Sequence, residues 1–229
     1  MNFSYKTAVL VFANSSHEEL LHKPMPKSEL LFDTLTQETL KKVKKTGLPY
    51  FHLSEKEQKG KSFGERFTNA IQTVFDQGFE NIITIGNDTP QLQTRHLLET
   101  KGALDAGRTV LGPSVDGGFY LMGIHKSNFE PESFKNLPWQ RFSLLNRISF
   151  ILDRSDALLY KLPVLGDIDN IKDVKRLISF RKSISSTLLN LLTLLIAFEN
   201  RIIDGFFQAI LNIFLQRPFN KGSPLLLHS

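Results

Sequence analysis

Residues 7–13 (TAVLVFA) form a short, continuous apolar run, the pattern of a strand buried on both faces. The polar stretch 14–27 that follows is expected to be loop. Leu30, Leu31, Leu35, Leu40 and Val43 then recur at helical spacing until Gly47 and Pro49 stop the helix. Residues 49–53 read as a second strand. A helix from about Gly64 sets Phe67, Ile71, Val74 and Phe75 on one face and stops at Gly78. Residues 81–85 (NIITI) are a third buried strand, followed by a helix over 94–106 and a strand over 109–112. This βαβαβα alternation predicts an α/β fold: a three-layer α/β/α sandwich around a mostly parallel sheet.

The rhythm then changes. Residues 110–114 and 119–124 flank a tight Val115-Asp116-Gly117-Gly118 turn. A stretch rich in Phe and Leu leads to a late strand over 161–165, and Asp167-Ile168-Asp169-Asn170 opens a helix through Ile178. The division expected is a domain over 1–182 and an apolar helical tail over 183–229. In that tail Glu199, Arg201 and Asp204 separate two uncharged stretches, 183–198 and 205–216. Neither reaches the roughly 20 residues that span a bilayer. Ile203, Phe206, Phe207, Ile210, Leu211 and Phe214 keep helical spacing. The expectation is a helical hairpin packed on the domain or on a second subunit, which would make a homodimer. A membrane-surface helix is the alternative, and few Lys or Arg line its polar face.

Composition narrows the class. A chain of 229 residues, 41% hydrophobic and 22% charged, is a soluble globular domain plus an appendage, not a disordered or collagen-like chain. The lack of Cys removes thiol catalysis, disulfides, iron–sulfur clusters and Cys-based zinc sites. The net charge of +5 invites a nucleic-acid reading, but the bases are dispersed, Lys41, Lys42, Lys44 and Lys45 lying against Glu38, Glu55 and Glu57. A small anionic substrate suits the charge equally well, and no nucleic-acid partner is expected. The N-terminus reads as a first strand, not a secretory leader, so a cytoplasmic location is expected.

Several motifs fail on spacing. Gly60-Lys61-Ser62 mimics a phosphate-binding loop, but that loop needs Gly where Glu55 stands. His17 and His22 are five apart, and only a spacing of four sets two zinc ligands on one helix face; the segment is read as polar loop. There is no Gly-x-Ser-x-Gly elbow. His52, His96, His125 and His228 are scattered and read as structural.

Three motifs survive, each at the carboxyl end of a strand, where open α/β sheets bind ligands. Gly86-Asn87-Asp88-Thr89-Pro90 sets a carboxylate where it either caps the next helix or holds a hard divalent cation. Asp116-Gly117-Gly118 is either a plain hairpin turn or a place where a sugar or phosphate approaches bare backbone beside Asp116. Asp167 and Asp169 either cap the last helix or bring Asp169 across to share a metal with Asp88.

Over residues 58–177 the chain resembles the radical-SAM/selenodomain-associated transferases, a bacterial family with a GT-A-like fold. Gln58, Gly60, Gly64, Glu65 and Arg66 match its Gln-x-Gly-x-x-x-Gly-Glu-Arg; Gly86, Asp88 and Pro90 match its Gly-x-Asp-x-Pro. Gly112, Pro113, Asp116, Gly117, Gly118, Tyr120, Leu121 and Gly123 match its Gly-Pro-x-x-Asp-Gly-Gly-x-Tyr-Leu-x-Gly, and Asp167 and Asp169 match its Asp-x-Asp. More distantly it is similar to the guanylyltransferases of phospholactate and of molybdenum cofactor assembly. The resemblance implies a nucleoside triphosphate or nucleotide-sugar bound over the first strand, near Ala13, Asn14, Glu65 and Arg66. It implies Mg2+ or Mn2+ at Asp88, with Asp167 and Asp169. The basic loop usual after the first strand is absent, leaving Lys23 and Lys27 in its place, although Lys lacks the bidentate phosphate grip of Arg. The family's Trp-Ser-Thr is here Trp139-Gln140-Arg141.

The reading is a metal-dependent nucleotidyl- or glycosyltransferase. Asp88 is its essential carboxylate, and Asp116 is the candidate base towards a hydroxyl acceptor. Gly117, Gly118, Tyr120, Trp139 and Arg141 would line a pocket for a small-molecule acceptor. The rival is a degenerate GT-A-like domain that serves as a binding or assembly module through its tail.

Overall fold

The computed structural model describes residues 6–215, apart from 24, 26, 27 and 154–157. Six strands form one sheet: β1 (Thr7–Phe12), β2 (Tyr50–Leu53), β3 (Asn81–Ile85), β4 (Thr109–Pro113), β5 (Phe119–His125) and β6 (Leu159–Lys161), in the order β2-β1-β3-β5-β4-β6. One row crosses it as Phe51, Leu10, Thr84, Met122, Leu111 and Lys161. Strand β5 runs antiparallel to both neighbours, and the other pairings are parallel. The cause is the turn after β4, where Gly117 takes φ +90 and returns the chain as a hairpin.

Alternation along the strands divides the core. Ala8, Leu10, Ile82, Leu111 and Met122 pack with Phe67, Ile71 and Val74 of α3 (Phe63–Phe75) and Ile148 and Leu152 of α6 (Leu144–Asp153). Val9, Val11, Ile83, Ile85, Val110 and Leu121 face the other way, against Val43 of α2 (Glu29–Lys44) and Leu97 and Leu104 of α4 (Thr94–Asp105). These are the three layers that the apolar runs predict.

Three local expectations are corrected and one open alternative is resolved. The polar stretch 14–27 contains a helix, α1 (Ser16–His22), started by Ser15, whose hydroxyl accepts from the Glu18 N–H. The late strand lies two residues earlier than the apolar run suggests. Pro163 has no N–H for a ladder, and only an isolated Ser114–Leu165 bridge follows it. The helix after Asp169, α7 (Ile171–Ile178), is capped by Asn170 in a reciprocal box with Asp173, which leaves Asp167 and Asp169 out of the cap. Finally, the tail is one continuous helix, α8 (Ser186–Leu215), and not a hairpin. Glu199, Arg201 and Asp204 are tolerated inside a helix, and Gly205 costs only about 1 kcal/mol there.

The first part of α8 belongs to the domain: Leu188, Leu192 and Leu195 are buried with Phe32 and Leu35 of α2 and with Val174 and Leu177 of α7. From Arg201 to Gln208 every residue is exposed, Ile202, Ile203, Phe206 and Phe207 included. Because the two uncharged stretches join in one helix, Ser186–Gln208 is long and apolar enough to cross a membrane, by length and composition alone. Residues 216–229 of the expected tail lie outside the described residues.

Candidate functional site

A crevice of about 590 Å³ opens over the carboxyl ends of β1, β3 and β4. Its first wall begins where β1 ends, at Ala13 and Asn14, and continues into α1. The chain is fixed there by Glu55, whose carboxylate accepts from the Ser15 N–H at 2.7 Å and the Ser15 hydroxyl at 2.9 Å. Helix α1 carries Glu19, and Lys23 caps its C-terminus one turn further on. Asn14 donates to Glu19 Oε1 at 3.0 Å.

Strand β3 delivers Asp88. Buried Asn87 donates to the Thr36 hydroxyl of α2 at 2.8 Å, which anchors the turn. The Asp88 carbonyl accepts from the Ile168 N–H at 3.0 Å, which ties the Asp167–Asp169 segment to the end of β3. Asp88 does not cap α4; Gln93 and His96 do.

Lys23 joins these pieces. Its Nζ lies 2.8 Å from Asp88 Oδ2, 2.9 Å from Asp169 Oδ1 and 3.5 Å from Glu19 Oε2, and donates to the Ile168 carbonyl at 3.1 Å. Burial pushes its pKa down, but Asp88, Glu19 and Asp169 outweigh that and hold it well above the ordinary lysine value. Lys23 is therefore a permanent cation. Buried Glu19 is raised, chiefly by burial and against the pull of Lys23; its Oε2 has no hydrogen bond beyond the long ion pair.

The opposite wall is acidic, and among the described residues only Asp169 of its three carboxylates has a cation, Lys23, within ion-pair distance. Carboxylate oxygens of Asp116, Asp167 and Asp169 lie within 4.8 Å of one another. Asp167, only 9% exposed, is pushed up to about 7 by burial and then by Asp116, Asp88 and Asp169. Asp116 is set by the hairpin: Ser114 Oγ and the Gly118 N–H (2.9 Å) both donate to its Oδ1. Crowded hard oxygens, with the proton affinity of Asp167 raised by its neighbours, are the donor chemistry that Mg2+ or Mn2+ takes, so the residues present fit such an ion.

The other expected residues divide. Arg66, Gly118, Tyr120 and Trp139 line the crevice with Gln58, Phe63 and Phe119. Glu65 turns away, accepting from the Lys61 and Ser62 N–H groups at the start of α3. Tyr120 is buried against Gly112 and donates to the Pro163 carbonyl at 2.9 Å. Trp139 donates to the Phe134 carbonyl at 2.8 Å and packs on Phe63, Phe67 and Phe119; a Cβ on Gly64 would stand 2.7 Å from its ring. Arg141 is exposed beside the crevice, whose lining at that point is Gln140, at φ 60. Gly117 packs on Phe142 at the rim. Lys27 lies outside the described residues.

Sequence reasoning missed Glu19. The signal was there: Ser15, acidic Glu18 and Glu19 in the first turn, and Glu19 four residues ahead of Lys23 are the marks of a capped helix with an i,i+4 ion pair.

Among solved structures, the chain is similar to a Desulfovibrio desulfuricans G20 protein described as a candidate nucleotide-diphospho-sugar transferase. The TM-score is 0.72 at 22% identity, over 84% of this chain and 97% of that one. It is also similar to a cytidylyltransferase from Leptospira borgpetersenii, with TM-score 0.45 and 14% identity over 87% and 97% of the two chains. A third is Rv0371c of Mycobacterium tuberculosis H37Rv in complex with manganese, with TM-score 0.42 and 13% identity over 75% and 97%. At such identities the first likeness establishes the fold, which is GT-A-like, as for nucleotide-diphospho-sugar transferases. No curated protein sequence matches the chain. A family profile described as "uncharacterized protein conserved in bacteria" spans residues 20–141, more than half the chain, and the chain belongs to that family, DUF2064.

Proposed function

We propose that this protein is a divalent-metal-dependent transferase with a nucleotide donor, moving either a nucleotidyl or a glycosyl group to a small-molecule acceptor. The observation that carries the reading is the crevice itself, where Asp116, Asp167 and Asp169 cluster at the carboxyl ends of the strands and a mostly buried lysine reaches only the last of them. The fold adds that open α/β sheets bind their ligands at that end. The narrower kinship with radical-SAM-associated transferases and the phospholactate and molybdenum cofactor guanylyltransferases belongs to this proposal.

Asp167 and Asp169, with Asp116 and Asp88 beside them, would hold Mg2+ or Mn2+. When bound, the ion supplies Lewis-acid stabilisation of negative charge on the donor's phosphates. The chain's own groups do the rest. Lys23 presents a fixed positive charge on the α1 wall, and Arg66 lines the crevice near the end of β1. Phe63, Phe119 and Trp139 offer flat apolar surface to a base or sugar. Asp116, held by Ser114 and Gly118, is positioned to take a proton from a hydroxyl acceptor.

A thermal-shift panel of nucleoside triphosphates and UDP-, GDP- and ADP-sugars, each with and without Mn2+ or Mg2+, tests this. Stabilisation by one nucleotide class, dependent on metal and lost in Asp88→Asn, is the expected result. Stabilisation unaffected by EDTA would refute the metal role. A second reading, an assembly module, rests on the exposed Ile202, Ile203, Phe206 and Phe207 of α8. It predicts no nucleotide shift and an oligomer that dissociates when residues 201–229 are removed, read by light scattering.

A further inference from the structure

We infer that Lys23 is a built-in cation that occupies the Asp88–Asp169 pair, and that it yields Asp169 to a divalent ion only when a phosphate takes over its ammonium. This deepens the function proposed above and rests on it. Asp88 Oδ2 and Asp169 Oδ1 both approach Nζ within 2.9 Å, so one ammonium satisfies two carboxylates that come from different segments. The Ile168 carbonyl and Glu19 complete its surroundings, and the side chain is 15% exposed.

Asp169 is the shared group. It belongs to the Lys23 cluster through Oδ1 and to the open cluster with Asp116 and Asp167. A metal ion arriving alone meets a site in which Asp88 and Asp169 are already paired with an ammonium, and that ammonium repels it at short range. A metal–phosphate complex meets a different balance, because the phosphate oxygens offer Lys23 a partner in exchange for Asp169. The lysine stem leaves α1 at its last turn and carries its charge on a flexible four-carbon chain, which permits the exchange. Metal and polyphosphate therefore bind with positive coupling, and by linkage each tightens the other equally.

The test is an Mn2+ titration of the full chain, followed by loss of the free-ion paramagnetic resonance signal, for wild type, Lys23→Arg and Lys23→Met. The expected result is Mn2+ alone binding about 10-fold tighter or more to Lys23→Met, the size of a typical coupling, with Lys23→Arg unchanged from wild type. Tripolyphosphate should tighten Mn2+ on the wild type by a similar factor and do little for Lys23→Met. Equal or weaker Mn2+ binding by Lys23→Met overturns the inference. If the wild type binds Mn2+ with nucleotide and the variant shows no gain, the transferase reading stands and this inference falls. If no protein binds Mn2+ with or without nucleotide, the transferase reading falls and takes the inference with it. A Lys23→Met chain that folds only with Mn2+ present supports the exchange. One that stays unfolded with Mn2+, as Lys23→Gln also does, counts against it.

Discussion

Asp88 and Asp167 lie in the same crevice, joined through the Asp88 carbonyl and the Ile168 N–H, yet their electrostatic surroundings are opposite. On the α1 wall, Asp88 is paired at 2.8 Å with a buried ammonium. On the facing wall, Asp167 is more buried, has no ion-pair partner among the described residues, and is pushed up to about 7. Identity of side chain does not decide the state; the segment that packs against it does. One wall carries its own counter-charge as the protein folds, and in the function proposed above a metal ion supplies it on the other.

The comparison breaks most visibly at Lys23. In metal-free protein, Lys23→Met leaves buried Glu19 and half-buried Asp88 and Asp169 without a cation, and urea unfolding should show a loss of about 2 kcal/mol, below the range for a fully buried pair because two of the three carboxylates keep solvent. A loss under 1 kcal/mol would mean that water already screens the cluster.

The facing wall should answer to pH. The folded Asp167 keeps its proton to about 7, whereas the unfolded side chain releases it near 3.8. Between those values the folded state binds the extra proton, so its stability falls as pH rises from 4 to 7 and stays reduced above. Three pH units correspond to about 4 kcal/mol at most, and solvent in the crevice cuts that to on the order of 2 kcal/mol. Asp167→Asn should remove this decline and be the more stable protein at pH 8. An unchanged pH profile in that variant would place the unfavourable charge elsewhere.

Smaller effects sharpen the same contrast. A Cβ at Gly112 would lie 2.6 Å from the Tyr120 ring, so Gly112→Ala should cost about 1–3 kcal/mol by thermal denaturation and disturb the hairpin that carries Asp116. Glu55→Gln weakens the hold on Ser15, where α1 begins, and should cost about 0.5–1 kcal/mol with the pH profile of Asp167 unaltered.

The two walls also differed in how far the sequence disclosed them. Strand-end carboxylates are easily read, because an apolar run such as NIITI followed by Gly-Asn-Asp announces both the strand and its ligand-facing turn. Asp116 beside two glycines, and Asp167 with Asp169 before a helix, were visible for the same reason. The sheet order was only partly visible: the hairpin was marked by its glycines, but the placement of β5 between β3 and β4 depends on long-range packing. The α1 wall was obscured because its helix is short and polar and buries Glu19, not a run of leucines, as its key side chain. In α8 the charged break at Glu199, Arg201 and Asp204 suggested a turn, although none of the three ends a helix. Contact partners such as Lys23 with Asp169, 146 positions away, follow from the fold and not from any spacing.

Calorimetric titration with the nucleotide that gives the largest thermal shift, in Mn2+ and again in EDTA, tests the central claim most directly. The account predicts saturable binding in Mn2+, none measurable in EDTA, and at least about a 10-fold loss in Asp167→Asn. Equal affinity in EDTA, or full affinity in Asp167→Asn, would contradict a crevice completed by a divalent ion and a nucleotide.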